Sequence, residues 1–148
     1  MPPFKTTRKV TFSDTDMAGI VHFSNYYRWM EEAEHEFFRS LGLRIMERQD
    51  DGSYWGWPRV SSSCNYLAPA RYEDVIEARV AIERVGFKSL SLLVEFWKDG
   101  TRIAHGRMKT ACCICRIDEK LESIEIPANY RQRFEEAMLA DSTHQPEA

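Results

Sequence analysis

Residues 12–34 read FSDTDMAGIVHFSNYYRWMEEAE, and this stretch decides the fold. It opens as a short polar loop holding Asp14 and Asp16, followed by a flexible Ala18-Gly19 step and an apolar Ile20-Val21. After His22-Phe23 a long helix begins at Ser24-Asn25, both read as helix-capping groups. Apolar side chains then recur at Tyr26, Met30, Ala33, Phe37 and Leu41, while Arg28, Glu31, Glu32, His35 and Arg39 take the other face. Such a stripe expects one flat apolar partner, such as a sheet. Gly42 supplies the C-terminal stop, so the helix is expected over 24–41. Its first turn carries unpaired N–H groups and the positive end of the helix dipole. A carboxylate just ahead of such an oxyanion-binding end is a workable site for cutting an acyl bond.

Working outward, Lys5–Ser13 reads as a strand, with Val10 and Phe12 alternating against polar neighbours. Residues 44–58 look loop-like because of Asp50, Asp51, Gly52 and Gly56, yet they carry Tyr54, Trp55 and Trp57. From Arg59 onward the chain is nearly continuous strand. Residues 59–67 form one segment; VIEARVAIERV then alternates Ile76, Ala78, Val80 and Ile82 against mostly polar residues. LSLLVEFW puts Leu90, Leu92, Val94 and Phe96 on one face, with Leu93 and Trp97 on the other. Asp99-Gly100 is a hairpin signal, and a long strand over 101–117 follows with a bulge expected at Gly106. A short helix over 128–139 and a polar tail, DSTHQPEA, close the chain. The expected architecture is α+β: one curved antiparallel sheet wrapped around a long central helix, as one domain over 1–140 with a disordered tail over 141–148. Such a sheet leaves one face and an edge uncovered, so a homodimer or homotetramer is expected.

Composition sets bounds. A chain of 148 residues with 43% hydrophobic and 29% charged residues suits one globular core. A net charge of −3 gives no basic footprint for nucleic acid. The opening MPPFKTTRKV holds no apolar run of signal-peptide length, and no segment reaches the ~20 apolar residues of a membrane span, so a cytoplasmic location is expected. Cys64, Cys112, Cys113 and Cys115 lack the second Cys or His pair of a zinc site and read as reduced strand residues. An EF-hand reading of Asp14-Thr15-Asp16 fails, because position five is Ala18 and position twelve is Asn25 where a bidentate Glu is needed.

The run Asp14-Thr15-Asp16-Met17-Ala18-Gly19-Ile20-Val21-His22-Phe23-Ser24-Asn25-Tyr26 resembles the signature of the 4-hydroxybenzoyl-CoA thioesterase family of hotdog-fold proteins. A second match is Tyr66-Leu67-Ala68-Pro69-Ala70-Arg71, followed by Asp74. The resemblance implies an acyl-CoA thioesterase that needs no cofactor, CoA being part of the substrate. It makes Asp16 the nucleophile or the general base. Asp14 is read as a loop-shaping acceptor instead. The oxyanion donor is expected to be the Phe23 backbone N–H; many relatives carry Tyr or His at that position, so any side-chain contribution there is lost. His22 is either a catalytic substitute or a packed residue, and Asn25 can also orient substrate or water. The resemblance further implies cationic contacts for the CoA phosphates, with Arg71, Lys88, Ser89 and Lys109 as candidates.

Three other readings stay open. One changes the carrier to acyl carrier protein, whose acidity would favour a basic docking patch. Another is a non-catalytic acyl-CoA binding module. Hydratase chemistry would need a His-containing acid/base set, for which only His22 is at hand. The acyl group is open too: Tyr54, Trp55 and Trp57 would line an aromatic pocket or else cover the helix end.

Overall fold

The first strand, β1 (Phe4–Lys9), is shorter than its alternation suggests. Thr11 and Asp14 bond to each other and bend the next residues into a 3-10 turn, Phe12–Asp14, which ends the strand pattern early. The computed structural model describes residues 4–142. After the turn comes α1 (Phe23–Ser40), one residue offset from the expected span at each end. Gly42, at φ +73°, lets the Leu43 N–H return to the Phe38 carbonyl at 2.9 Å, a left-handed stop that glycine adopts without strain.

The chain continues through β2 (Glu47–Arg48), β3 (Tyr54–Gly56), β4 (Arg59–Tyr66), β5 (Val75–Val85), β6 (Ser89–Lys98), β7 (Thr101–Ala111), β8 (Cys113–Cys115) and β9 (Glu122–Ser123) to α2 (Ala128–Ser142). Five strands form an antiparallel sheet in the order β1-β5-β6-β7-β4. A second, four-stranded sheet runs β2-β3-β8-β9. The molecule is therefore α+β, an antiparallel sheet with a long helix packed on it. The core joins Tyr26, Trp29, Met30, Ala33, Phe37 and Phe38 of α1 to Ile76, Val80, Leu90, Leu92, Val94 and Phe96 of the sheet. The stripe and the strand alternation thus bury the residues their periods select.

Three expectations change. The long strand over 101–117 is broken at Cys112, where the chain leaves the large sheet for the small one. Gly106 is no bulge: it pairs in register with Cys64 and Val94, and a Cβ there would come within 2.6 Å of Met30. Its missing side chain is what lets α1 press on the sheet. Finally, α2 extends through Ser142 instead of stopping at 139, and the rest of the expected tail lies outside the described residues.

β4 is the sheet edge opposite β1, and seven of its eight residues are exposed. Its start is tied to α1 by a two-pronged bond from Arg59 to Glu34, at 2.8 and 3.3 Å. Glu34 is 1% exposed. Burial raises its carboxyl above the usual range, against the opposing pull of Arg59.

Candidate active site

Asp14 organises the loop. Its Oδ2 accepts from the Thr11 N–H and the Thr11 hydroxyl, both at 2.9 Å. Its carbonyl accepts from the His22 N–H at 2.9 Å and from Asn25 Nδ2 at 2.8 Å. Two residues on, the Asp16 N–H donates to the Ile20 carbonyl at 2.9 Å, and the Gly19 N–H to the Asp16 carbonyl at 3.0 Å. This reversal uses Gly19 at φ +76°, and it brings Thr15 and Val21 side by side as a bridge. Asp16 Oδ1 accepts from the Ala18 N–H at 2.8 Å. Among the described residues no group donates to its Oδ2, and the side chain is exposed.

The helix start differs from expectation. Its N-cap is His22, not Ser24 or Asn25. Nδ1 of His22 accepts from the Ser24 N–H at 3.2 Å and meets the Ser24 hydroxyl at 2.7 Å. With Nδ1 accepting, the neutral ring carries its proton on Nε2. Asn25 is 6% exposed, and its amide is drawn onto the Asp14 carbonyl, so it pins the loop to the helix. Phe23 is the first helical residue, 59% exposed, with its ring stacked on His22 at 4.4 Å. Among the described residues its N–H has no acceptor, as befits the first turn of a helix.

The two quoted motifs meet here. The Val21 N–H donates to the Ala70 carbonyl at 2.8 Å. Asp16, Ile20, Val21, Phe23 and Tyr26 share one open cleft of about 440 Å³ with Tyr66, Leu67, Ala68 and Pro69. The Tyr66 ring stands edge-on to Tyr26 at 5.2 Å, and its hydroxyl donates to the Phe23 carbonyl at 3.2 Å. Burial pushes the Tyr26 hydroxyl up to about 12. Behind the cleft, Asp74 accepts from the Arg71 N–H at 2.7 Å and pairs with Lys98 at 2.8 Å. Burial raises the Asp74 carboxyl, but the bonds and charges of Lys98 and Arg71 outweigh it and hold the group below its ordinary range.

The other candidates divide. Arg71 is exposed and lies two residues beyond Pro69 of the cleft wall. Lys88, Ser89 and Lys109 are not gathered there by one chain. Ser89 opens β6 opposite Ala111, and Lys109 lies on β7 between Ser61 and Ser91. The cleft adjoins the other ends of these strands, at Tyr66 and its partner Ala104. Trp57 is buried against Phe38, Tyr130 and Phe134, so it covers the end of α1 under α2, and Trp55, half-buried, packs on Tyr130 of α2. The cleft instead takes its rings from Phe23, Tyr26 and Tyr66. Tyr26 is buried in the core, as its place in the stripe predicts, and it also reaches the cleft, while the tie from Tyr66 to α1 carries no local sequence signal. The cysteines are all free thiols; burial pushes Cys112 up to about 12, helped by Cys113 and Cys115.

A loop carboxylate and a helix start thus border one largely apolar cleft on an antiparallel sheet with a long helix packed on it. The chain belongs to the thioesterase-like superfamily, which matches residues 10–135. It is 29% identical over 138 residues to a 4-hydroxybenzoyl-CoA thioesterase of Pseudomonas sp. strain CBS-3, covering 83% of this chain and 91% of that one. A 1,4-dihydroxy-2-naphthoyl-CoA hydrolase of Prochlorococcus marinus subsp. pastoris is 28% identical over 124 residues, 81% of each chain. Among solved structures, a gentisyl-coenzyme A thioesterase superposes with a TM-score of 0.75 at 33% identity, covering 89% of this chain and 99% of that one. The protein is an enzyme, a hydrolase of thioester bonds.

Proposed function

We propose that the protein hydrolyses an aryl-CoA thioester to the free aromatic acid and CoA. The observation that carries this is the shared cleft: Asp16, with one carboxylate oxygen that accepts from no group among the described residues, and Phe23 at the helix start line one space together with Tyr26 and Tyr66. Rings in that wall suit a planar acyl group, and the named relatives act on hydroxylated aromatic thioesters. Asp16 acts on the thioester carbonyl, either as nucleophile through a mixed anhydride or as base to a water. As the carbonyl carbon becomes tetrahedral, its oxygen turns to the Phe23 N–H at the positive end of α1. The C–S bond then breaks and CoA leaves as the thiolate; the attacking water supplies its proton, either in the same step where Asp16 is the base or, where Asp16 is the nucleophile, when that water hydrolyses the mixed anhydride, which frees the acid and restores the carboxylate. In this reading Asn25 and His22 hold the two ends of the machinery in place instead of touching substrate, and no cofactor takes part.

The exposed β4 edge supports a homodimer with a continuous sheet, since Ser61, Ser63 and Asn65 offer small polar side chains along it. Register shifts at Arg59/Ser61, Ile82/Arg84 and Phe96/Trp97 support a sheet that curves around α1. In such an assembly Arg71 of one subunit and Lys88, Ser89 and Lys109 of its neighbour would serve the CoA phosphates. One hotdog domain over 1–140, working in the cytoplasm, completes the reading. Among the described residues no helix is long and apolar enough to cross a membrane. The test is thiol release from benzoyl-, hydroxybenzoyl-, naphthoyl- and straight-chain acyl-CoA esters, and from the acyl carrier protein ester of the best acyl group. Aryl esters should turn over with kcat/KM at least ~10-fold above aliphatic ones, a ratio that one well-fitted pocket supplies. Preference for aliphatic esters would overturn the aryl assignment, and preference for the acyl carrier protein ester would overturn the carrier.

A further inference from the structure

Tyr66 is the last residue of the edge strand β4, yet its hydroxyl reaches α1 and donates to the Phe23 carbonyl at 3.2 Å. Phe23 is the residue whose own N–H is unpaired, and within a helix its carbonyl also faces the N–H four residues on, at Tyr27. The first turn of a helix is its loosest part, because its leading N–H groups have no partners inside the helix. Among the described residues three side-chain devices hold it: the His22 cap below, the Asn25 tie to the Asp14 carbonyl and the Tyr66 tie from the sheet, the last being the one that holds the Phe23 carbonyl itself. The ring that makes the tie is itself fixed, edge-on to Tyr26 at 5.2 Å, while the residues after it are fixed by two bonds to the Ile103 carbonyl, from Leu67 at 2.8 Å and Ala68 at 3.1 Å. Tyr66 is 45% exposed, so burial in the core does not account for its presence. Burial and the neighbouring Cys64 and Tyr27 nevertheless raise its hydroxyl above the ordinary range, which keeps it protonated and able to donate.

We propose that Tyr66 is a positioning residue for acyl-bond cleavage: by holding the Phe23 carbonyl it fixes the N–H that receives the oxyanion. This rests on the thioesterase reading above. Stabilisation by a helix-start N–H depends steeply on where the donor sits, and removing such a donor outright costs about 10²–10³-fold in kcat. Loosening it while leaving it in place should cost less, about 10-fold.

The experiment compares wild type with Tyr66→Phe, which keeps the ring and removes only the tie, by two measurements. Amide hydrogen exchange across residues 23–27 reports the first turn without reference to activity. Steady-state thiol release from an aryl-CoA ester reports kcat and KM separately. The proposal expects faster exchange in the first turn, kcat down about 10-fold, KM within about two-fold, and a Tm fall of no more than about 4 °C for the loss of one hydrogen bond. Faster exchange with unchanged kcat would make Tyr66 a structural tie only and overturn the proposal. Unchanged exchange would overturn it whatever the kinetics; a kcat loss would then point to direct contact with substrate. A purely structural role would lower Tm without separating kcat from KM. If wild type cleaves no thioester while Tyr66→Phe still loosens the turn, the failure belongs to the thioesterase reading, and the catalytic role of Tyr66 falls with it.

Discussion

Replacing Asn25 with alanine tests how the catalytic loop is held. The Asn25 amide donates to the Asp14 carbonyl at 2.8 Å, bridging 11 residues of sequence, and it is 6% exposed. Alanine removes the donor but leaves no orphan behind, because the Asp14 carbonyl still accepts from the His22 N–H at 2.9 Å. The stability cost is therefore about one net neutral hydrogen bond, ~0.5–1.5 kcal/mol, plus the small space the amide vacates. With a shift of about 2–4 °C per kcal/mol for a chain near this size, loss of the hydrogen bond alone should lower Tm by about 1–6 °C. Catalysis should suffer more than stability. Asp14 lies two residues before Asp16, and a misplacement of about 1 Å in a reacting group costs about 10²-fold in rate. Asn25→Ala should thus lose between about 10- and 10²-fold in kcat at a temperature where it is fully folded. Thiol release together with a thermal melt reads both quantities. A variant with the expected Tm loss and wild-type kcat would show that the Asn25 tie does not position Asp16.

Two further outcomes follow from the same geometry. His22→Asn should keep kcat within about three-fold, since asparagine is a good N-cap, whereas His22→Ala should lose about 1 kcal/mol of stability; a large kcat loss in a stable His22→Asn protein would make the imidazole catalytic. Asp74 has its pKa lowered in the folded state, so its contribution to stability is fully present above the unfolded value near ~3.9 and is lost as pH falls through the lower folded value. The stability gap between wild type and Asp74→Asn should therefore hold at neutral pH and close below about pH 4; a gap that widens on acidification would contradict the pairing of Asp74 with Lys98 and Arg71.

Much of this was legible in the sequence because it repeats. The Tyr26–Leu41 stripe and the alternation from Ile76 to Ile82 and from Leu90 to Phe96 reported a helix on a sheet directly, and those residues line the core. The two motifs, separated by some forty residues of chain, meet in one cleft. What was not legible is what depends on partners distant in sequence. Strands β2, β3, β8 and β9 have two or three residues each, too few to show a period, so the sequence of the small sheet looks like loop and like the end of a long strand. A glycine inside a strand signals a bulge or a close approach, and only the position of Met30 decides for Gly106. Ser24 and Asn25 are better caps than histidine by type, but the Asp14 carbonyl claims Asn25 and leaves the cap to His22. Ser89 and Lys109 sit on strands of the right kind and Lys88 in the bend just before one, yet at the ends facing away from the cleft, which strand pattern alone does not fix.

The central claim is that Asp16 performs the chemistry, and Asp16→Asn tests it most directly. The change is isosteric, Asp16 is exposed, and Oδ1 can go on accepting from the Ala18 N–H through the asparagine carbonyl, so the fold should be unchanged. Measured as thiol release from the preferred aryl-CoA ester, kcat should drop at least ~10²-fold with Tm preserved, as expected for loss of a nucleophile or general base. A folded Asp16→Asn protein that turns over at near the wild-type rate would contradict the account.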